Sequence, residues 1–311
     1  MSNKPDLSII ILNWNTKELL GKCLESIPKN KDYEVIVIDN ASCDNSKEFL
    51  KKLLNAKSLN LKVIFNKKNL GFSKANNQGI KTASGKYILL LNSDTEICDS
   101  ALEKLLKYFK SNSRVLAVSP LLLNPDKTYQ QKYYLKLPSP FRIGLYHNLI
   151  LRPLIVKTFL RGLLINSLEK KQPFLVDQLS ATALMVRSEV LKKYFLDEDY
   201  PFLFEDVDWC YRIQKDFPNS LLVVPDSKVI HLGGGSWKQW LDKDPYHFYQ
   251  HHFRSLLIFA KKHQVSLIFI YKIVLAFCFL TNFLVNLIFL RLKNAEVQRK
   301  LFFWVLFNKN I

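Results

Sequence analysis

The feature that most constrains the fold is a short apolar run that ends at a carboxylate. Residues 88–91 carry no charged or amide side chain, and Asn92, Ser93 and Asp94 follow them directly. An apolar run of this length between turn signals predicts a strand buried on both faces, as in a parallel sheet. Ligands bind at the carboxyl ends of such strands in open α/β sheets. Asp94 therefore either serves a ligand or only turns the chain, and this stretch by itself leaves both interpretations open.

Two earlier apolar runs also end in polar residues. Residues 7–12 lead to Asn13 and Trp14, and residues 33–38 lead to Asp39. Apolar residues at helical spacing lie between the runs, so the pattern predicts a strand-helix-strand unit of a parallel sheet. An acid at the end of the second strand can accept hydrogen bonds from a nucleotide base or ribose. The glycine fingerprint of a dinucleotide-binding fold is absent after the first strand, which argues against a nicotinamide-dependent enzyme.

A loop rich in amide side chains follows the third predicted strand. It contains Asn69, Gly71 and Asn76, and Ser73 is placed to cap a helix. Gly71 is free to adopt a positive φ angle. Amides and lysines beside a helix N-terminus suit an anionic ligand such as a diphosphate. A solvated loop followed by a capped helix would account for the same residues one by one.

Five segments, taken together and in order, resemble family 2 glycosyltransferases of the GT-A fold. They are SIIILNWNT from Ser8, VIDNAS from Val37, NLGFSKANNQGI from Asn69, LLLNSDTEI from Leu89 and FEDVDWCYR from Phe204. The pattern is most similar to rhamnosyltransferase-like enzymes of bacterial cell-surface polysaccharide assembly, and it runs from about residue 7 to residue 262. Five ordered motifs are far more specific than any one of them.

The resemblance implies an α/β fold with a GT-A, Rossmann-like, mostly parallel sheet flanked by helices. It also implies a nucleotide-sugar donor, a divalent metal and inversion at the anomeric carbon. The residues that would bind the donor nucleotide are Asn13, Trp14, Asp39, Asn69, Gly71, Asn76, Asn92 and Asp94. The residues that would meet the donor sugar and the acceptor are Asp177, Ser180, Ala181 and Trp209.

A second acidic group, Glu205, Asp206 and Asp208, precedes a predicted helix. A sugar hydroxyl that attacks an anomeric carbon must lose its proton, and a fixed carboxylate can take it as a general base. By the family pattern Asp206 is that base, with Glu205 as second choice. First-turn acids can also complement a helix dipole, which is the expected role of Asp208.

The metal is expected between Asp94 and His231, since related enzymes use a histidine at the latter position. Carboxylate, imidazole and phosphate oxygens together suit Mn²⁺ or Mg²⁺. Asn92 stands where the family often has a first aspartate, which leaves fewer anionic ligands and predicts weak metal affinity. Arg254, on a cationic helix, could meet the pyrophosphate.

The formal charge of +18 is unevenly distributed, and two regions combine it with apolar residues. Residues 138–173 form a predicted basic amphipathic insertion in a catalytic domain of residues 1–262, and residues 263–311 form a hydrophobic and basic tail. Both suit an anionic membrane surface. Within the tail, residues 273–290 could span the membrane, re-enter it, lie on it, or form a buried core helix. Basic residues flank both ends, so the positive-inside rule gives no orientation.

The predicted function is inverting transfer of a sugar at the cytoplasmic face of the cell membrane. The expected donor is dTDP-rhamnose, on resemblance alone, with a UDP-hexose as the runner-up. The expected acceptor is a polyprenyl-diphosphate-linked saccharide, and no nucleic-acid partner is expected. A nucleotidyltransferase and a non-catalytic membrane scaffold are the alternatives of other classes. Five scattered cysteines without a CxxC pair, and a polar N-terminus without a signal peptide, agree with the reducing cytosol.

Overall fold

The structure is a computed structural model that describes residues 4–56, 60–130, 136–156, 171–234 and 237–308. Part of the predicted insertion, residues 157–170, lies outside the described residues. The chain divides into two compact units. The first, here called the sheet unit, comprises Met1–Tyr134, Leu168–Glu198 and Glu205–Gln239. The second, here called the helical unit, comprises Leu135–Ser167, Asp199–Phe204 and Trp240–Ile311.

The described part of the sheet unit is built on one mixed sheet of nine strands. The strands are β1 (Leu7–Asn13), β2 (Tyr33–Asp39), β3 (Leu61–Phe65), β4 (Tyr87–Asn92), β5 (Thr95–Ile97), β6 (Ala117–Leu123), β7 (Phe174–Leu175), β8 (Ala183–Arg187) and β9 (Leu221–His231). Their order across the sheet is β3-β2-β1-β4-β8-β6-β9-β5, and β7 pairs with β9.

The first four strands of this order are parallel to one another, as the apolar runs predicted. Every residue of β2 is buried, and β4 is buried up to Leu91, because helices cover both faces of this part of the sheet. The parallel register pairs Asn13 with Asp39 and Leu12 with Asn92. The polar residues that end these strands therefore share one edge of the sheet, here called the carboxyl edge.

Beyond β4 the sheet becomes mixed. β8 runs antiparallel to β4 and to β6, so the residues that precede β8 reach the carboxyl edge. The backbone N–H of Asn92 donates to the carbonyl of Thr182 at 2.9 Å, which fixes that approach. β5 pairs antiparallel with β9 and sets Thr95 opposite His231. This pairing brings the end of β9 next to the turn that contains Asp94.

The helices of the sheet unit cover the two faces of the sheet. They are α1 (Lys17–Glu25), α2 (Ser46–Ala56), α3 (Phe72–Thr82), α4 (Ala101–Ser111), α7 (Ser188–Lys193) and α8 (Glu205–Asp216). α9 (Trp237–Lys243) contains the point at which the chain passes from the sheet unit to the helical unit. Each longer helix buries an apolar stripe, such as Leu102, Leu105 and Phe109 of α4.

The helical unit contains α5 (Pro140–His147), α6 (Leu151–Val156), α10 (Pro245–His263) and two longer C-terminal helices. These are α11 (Ile268–Ile288), preceded by a 3-10 turn (Val265–Leu267), and α12 (Leu292–Phe307). Within the described residues, Val265–Ile288 is the one helical stretch long and apolar enough to cross a membrane. α10 groups by packing with α11 and α12, while the sequence-based division at residue 262 remains a prediction.

Candidate functional site

Asn13 and Asp39 lie side by side at the carboxyl edge, where β1 and β2 end. The Asn13 Nδ2 amide donates to Asp39 Oδ1 at 3.0 Å and to Ser42 Oγ at 3.1 Å, and it has no exposed surface. Asn13 therefore orients the Asp39 carboxylate. Trp14, by contrast, is 37% exposed at the same strand end and offers a ring face to solvent.

The amide-rich loop is held together by its own side chains. Asn40 Nδ2 donates to Asn69 Oδ1 at 2.8 Å, and Asn40 Oδ1 accepts from the Leu70 N–H at 3.0 Å. Gly71 takes the N-cap position of α3 with a φ of 79°, which a residue with a side chain rarely adopts. Ser73 therefore lies inside the helix and not at its cap. The loop therefore lies close to Asp39, because Asn40, the next residue in the chain, is hydrogen-bonded to Asn69 and Leu70.

Asn76, which was predicted to bind the donor, lies on the buried face of α3. Its Nδ2 donates to the Phe72 carbonyl at 3.1 Å, and the residue is 2% exposed. Its side chain thus holds the first turn of the helix together in this structure. Its predicted contact with the donor nucleotide remains untested.

Asp94 and His231 meet as the sequence predicted, with His231 Nε2 3.2 Å from Asp94 Oδ1. Their backbones are also joined, since the Leu232 N–H donates to the Asp94 carbonyl at 2.9 Å. Both residues are buried, Asp94 at 9% and His231 at 2% exposure. A buried imidazole beside a carboxylate at a strand end is an arrangement suited to a ligand or a metal.

Gln130 fixes the orientation of the His231 ring. The Gln130 Nε2 amide donates to the His231 carbonyl at 2.5 Å, so its Oε1 is the atom that faces His231 Nδ1, at 2.9 Å. An amide oxygen can only accept, so Nδ1 carries the proton and Nε2 is turned toward Asp94. Such support of the second ring nitrogen is usual for a metal-binding histidine. Gln130 was missed by the sequence reasoning, because a lone glutamine in a loop gives no signal.

The chemistry of Asp94 and His231 fits a divalent metal. An unprotonated imidazole nitrogen and a carboxylate oxygen are both ligands that divalent metals accept, and His231 Nε2 and Asp94 Oδ1 lie 3.2 Å apart. The described residues hold no cluster of three or more His, Cys, Asp or Glu side chains, so the pair would leave other positions to phosphate oxygens and water.

Glu205 and Asp206 open α8 and are the second acidic feature of the unit. The Asp206 carboxylate accepts from the Ala181 N–H at 3.1 Å and from the Val207 N–H at 2.8 Å. Burial raises the pKa of Asp206, and these N–H donors limit the rise. Burial, together with the neighbouring Asp206 charge, raises the pKa of Glu205 to about 8. Because the Asp206 charge helps to raise the pKa of Glu205, Glu205 is the member of the pair that binds its proton more tightly.

Ser180 and Ala181 lie against Asp206, and their predicted contact with the donor sugar and the acceptor remains a prediction. Ser180 Oγ is 2.9 Å from Thr182 Oγ1, and its hydrogen bond to Asp206 lowers the pKa of that carboxyl. Thr182 in turn bonds to Asn92 through the backbone. The segment therefore links the Asp206 carboxylate to the end of β4. Asp177 is half-buried three residues upstream.

Trp209 is a correction. It was predicted to touch the sugar, but it has no exposed surface and its indole N–H donates to the Tyr194 carbonyl at 2.7 Å. A ring without accessible surface cannot stack on a sugar, so Trp209 belongs to the core.

Asp208 is also fully buried and pairs with Arg212 at 2.8 Å, one helical turn later. Arg254 is exposed on α10 in the helical unit, and its contact with a diphosphate remains a prediction.

Comparison with known proteins identifies the family. The model of glycosyl transferase family 2 matches residues 8–170, just over half of the chain. The chain therefore belongs to family 2 of the glycosyltransferases.

Among curated relatives, a poly(ribitol-phosphate) beta-glucosyltransferase of Bacillus spizizenii is 35% identical over 121 residues, which is 37% of this chain and 19% of that protein. A cholesterol galactosyltransferase of Borreliella burgdorferi is 31% identical over 119 residues, which is 38% of this chain and 33% of that protein. The matched part is thus a third or less of each relative's own length.

Solved structures share the fold at low identity. A mannosyltransferase, PcManGT from Pyrobaculum calidifontis, solved with GDP-Man and Mn²⁺, aligns with a TM-score of 0.56 and 15% identity over 99% of this chain and 89% of its own. S. aureus TarS 1-349 aligns with a TM-score of 0.51 and 17% identity, over 96% of this chain and 90% of that one. These likenesses show that the fold is of the GT-A type.

Proposed function

We propose that this protein is an inverting glycosyltransferase that moves a sugar from a nucleotide donor to an acceptor hydroxyl. The observation that carries the proposal is the arrangement at the carboxyl edge. Asp94 and His231 converge at 3.2 Å, and Asp206 is tied through the 180–182 segment to the end of the same strand, β4. The reaction needs two groups. One is a set of ligands for a metal, and the other is an ionised carboxylate that can act as a general base.

In the proposed reaction Asp206 takes the proton of the acceptor hydroxyl. The hydroxyl oxygen forms a bond to the anomeric carbon, the bond from that carbon to the diphosphate oxygen breaks, and the nucleoside diphosphate leaves with the electron pair. Glu205 keeps its own proton and so adds no second negative charge beside Asp206. Asp206 can then be ionised in a crowded site, because the Ala181 and Val207 N–H groups stabilise its charge.

Asp39 and the exposed Trp14 ring are proposed to hold the nucleoside, with Asn13 fixing the carboxylate. The loop at Asn69 and Gly71 borders the same site. Mn²⁺ or Mg²⁺ would be held by Asp94 and His231, and Asn92 is a neutral neighbour of the diphosphate. When bound, such a metal offsets negative charge on the departing nucleoside diphosphate.

The finer assignments rest on likeness. The residue pattern supports dTDP-rhamnose as donor, with a UDP-hexose as the close alternative. Structural neighbours were solved with GDP-Man and Mn²⁺ and with UDP, GalNAc and Mn²⁺, which supports a nucleotide sugar and a divalent metal. Relatives named for a polymer phosphate and for cholesterol as acceptors support a lipid-linked or polymer-linked acceptor in cell-surface polysaccharide assembly. The basic and apolar helices support a position at the cytoplasmic membrane face.

A donor screen tests this proposal. The purified full chain is incubated with dTDP-rhamnose and a panel of UDP- and GDP-hexoses, together with membrane lipid extract as acceptor, and release of nucleoside diphosphate is measured. We expect one donor to be preferred at least about tenfold, and EDTA to abolish release until Mn²⁺ or Mg²⁺ is restored. Absence of turnover with every sugar nucleotide would contradict the proposal, and full activity in EDTA would contradict the metal.

A further inference from the structure

α11 carries a stripe of apolar side chains on one face that nothing in the described chain covers. Its members are each between 41% and 75% exposed, and from Ile270 on they recur every three or four residues: Phe269, Ile270, Ile273, Phe277, Leu280, Leu284 and Ile288. That spacing puts them on one side of the helix. A contiguous apolar surface of this kind marks an interaction site, unlike single exposed apolar residues.

The neighbouring helices of the same unit also expose large apolar side chains. On α12, Phe303 is 47% exposed and Phe307 is 73% exposed. On α5 and α6, Phe141 is 63% exposed and Leu154 is 61% exposed. Four helices of the unit therefore each leave large apolar side chains in solvent.

The opposite face of α11 carries polar contacts along its second half. Asn282 Nδ2 donates to the His147 carbonyl at 2.9 Å, and Asn282 Oδ1 accepts from the Leu149 N–H at 2.8 Å. Asn148 Nδ2 donates to Thr281 Oγ1 at 2.9 Å. These bonds tie α11 to the C-terminal end of α5, whose backbone groups would otherwise be unsatisfied away from water. This side of α11 thus buries two asparagines, Asn282 and Asn286, among apolar residues such as Leu275 and Phe279.

The middle of α11 also packs against α10. Phe279, next to the centre of the helix, lies edge-on to Phe253 of α10 with ring centroids 4.8 Å apart. Next to Phe253, α10 carries His252 and the exposed Arg254. α11 is about 31 Å long at about 1.5 Å per residue, which matches the hydrocarbon thickness of a bilayer. If α11 crossed the bilayer, its centre would lie at the bilayer midplane, and the adjacent part of α10 with Arg254 would lie there too. That depth is where a charged side chain is most costly, so a span is disfavoured.

The charges of this region complement an anionic lipid surface. Residues 245–308 contain eight Lys and Arg residues and one acid, Glu296. Lys261 and Lys262 precede α11, and Arg291 and Lys293 follow it; Lys261, Lys262, Arg291 and Lys293 are all exposed. Cationic residues at both ends of the apolar stripe can each attract the headgroups of anionic lipid.

We propose that α11 lies in the plane of an anionic lipid leaflet, with its apolar stripe facing the acyl chains, and does not span the membrane. The α11–α12 hairpin returns to its starting end, since the Lys272 Nζ donates to the Asn308 carbonyl at 3.3 Å. In the proposed orientation both ends of α11 stay on the cytoplasmic side, and the end of α12 lies with the start of α11. This inference refines the membrane location proposed above and does not depend on the catalytic assignments.

Cysteine accessibility tests the orientation. Ser266→Cys and Asn294→Cys place thiols at exposed positions beyond the two ends of α11, in a full chain whose more accessible cysteines, Cys43 and Cys98, are replaced by serine. A membrane-impermeant maleimide is added to inverted membrane vesicles, in which the cytoplasmic face points outward. We expect both cysteines to react to the same extent before detergent is added. Reaction of only one of them before detergent would show a span and overturn the proposal.

Vesicle flotation tests the apolar stripe with Phe277→Glu, which places a charge at the middle of the stripe. Phe217→Glu makes the same change at an exposed phenylalanine (40%) of the sheet unit and serves as the matched control. We expect the partition coefficient on vesicles containing phosphatidylglycerol to fall at least about tenfold for Phe277→Glu and to stay unchanged for Phe217→Glu, with binding weaker on phosphatidylcholine alone.

Two measurements keep this test decisive. Circular dichroism checks that Phe277→Glu folds, and nucleoside diphosphate release in detergent should equal that of the parent chain. If neither the parent chain nor any variant releases nucleoside diphosphate, the proposed function is contradicted. The flotation result would still test the lipid proposal in that case. Unchanged flotation of Phe277→Glu would overturn the lipid assignment. A dimer of the parent chain in solution that Phe277→Glu dissociates would also overturn it, because the stripe would then bind a second copy of the chain.

Discussion

The two edges of the sheet each bury a glutamate, and the two side chains are held in opposite protonation states. Glu34 lies at the amino edge and is 1% exposed, while Glu205 lies near the carboxyl edge and is 6% exposed. Burial opposes ionisation of Glu34, but donors from Lys62, Ser8 and Ser84 outweigh it and lower its pKa to about 2. Glu205 has no comparable set of donors in the described residues and lies beside Asp206, so its pKa is raised.

This difference separates an ionised glutamate that stabilises the fold from a protonated glutamate beside Asp206, the proposed base. At the amino edge, Glu34 accepts from Ser8 Oγ at 2.5 Å, from the Ser84 N–H at 2.6 Å and from Lys62 Nζ at 2.7 Å, which joins β1, β2 and β3. A carboxylate with all its donors in place has nothing left to offer a ligand. Near the carboxyl edge, burial and the neighbouring Asp206 charge dominate at Glu205, so its proton is retained.

The largest effect is expected for Asp206→Asn, which removes the proposed base and keeps the shape of the side chain. The rate constant kcat should fall by about 10²- to 10⁴-fold, while the Kd for the donor nucleotide stays within about threefold. Asp226→Asn changes an exposed acid of the same unit and should leave both values unchanged. A kcat of Asp206→Asn close to that of the parent chain would show that Asp206 is not the general base. The acids at the two edges of the sheet would then not differ in catalytic role.

The next effect is expected at the amino edge. Glu34→Gln breaks the ion pair between the buried Glu34 and the half-exposed Lys62 and should lower the free energy of unfolding by about 2 kcal/mol at pH 7. Because the pKa of Glu34 is lower in the folded chain, its contribution is present above about pH 4.5 and is lost as the pH falls toward 2. Urea denaturation at pH 7 and pH 3 measures this, with the exposed Glu48→Gln as control. An equal stability deficit at both pH values would refute the assigned protonation state.

Asp94→Asn sharpens the comparison at the metal site. The amide keeps the shape of the side chain and its proximity to His231 but has no negative charge. We expect the Mn²⁺ concentration for half-maximal activity to rise about tenfold to a hundredfold. Glu96→Gln, the same type of change two residues later, is the control and should leave it within about twofold. An unchanged metal requirement in Asp94→Asn would assign the metal to other residues.

The smallest effect is expected for Glu205→Gln. The folded chain holds a proton on Glu205 that the unfolded chain releases above about pH 4.5, so the stability of the parent chain falls as the pH rises from there toward 8. Glutamine has no proton to release, and the fall in Tm between pH 5 and pH 8 should be smaller by a few degrees. Thermal melts across this range, with Glu189→Gln as exposed control, measure it. Identical pH dependence in the parent chain and Glu205→Gln would contradict the raised pKa.

The sequence predicted the carboxyl edge well, because apolar runs that end in polar residues depend only on local order. β1, β2 and β4 were predicted in this way, and the convergence of Asp94 with His231 followed from the family pattern. Gln130, which sets the His231 tautomer, was missed because its role arises from a contact across 101 residues. Trp209 was misassigned because an aromatic residue beside an acid looks the same in sequence whether its ring is exposed or buried.

The helical unit was less predictable for a physical reason. An apolar stretch is compatible with a span, a buried core helix or an interfacial helix, and only tertiary contacts separate them. α11 begins at Ile268, five residues before the predicted segment 273–290. The additional residues Phe269 and Ile270 extend its exposed stripe. The polar contacts of Asn282 with α5 could not be inferred from the sequence, since residues 135 positions apart give no periodic signal.

A carboxyl titration tests the contrast between the two edges most directly. In chain labelled with ¹³C-glutamate, the side-chain carboxyl resonances are followed by NMR against pH and assigned by their loss in Glu34→Gln and Glu205→Gln. We expect the Glu205 resonance to titrate near pH 8 and the Glu34 resonance to remain at its ionised position down to pH 4. Titration of both resonances between pH 4 and 5, like exposed glutamates, would contradict this account.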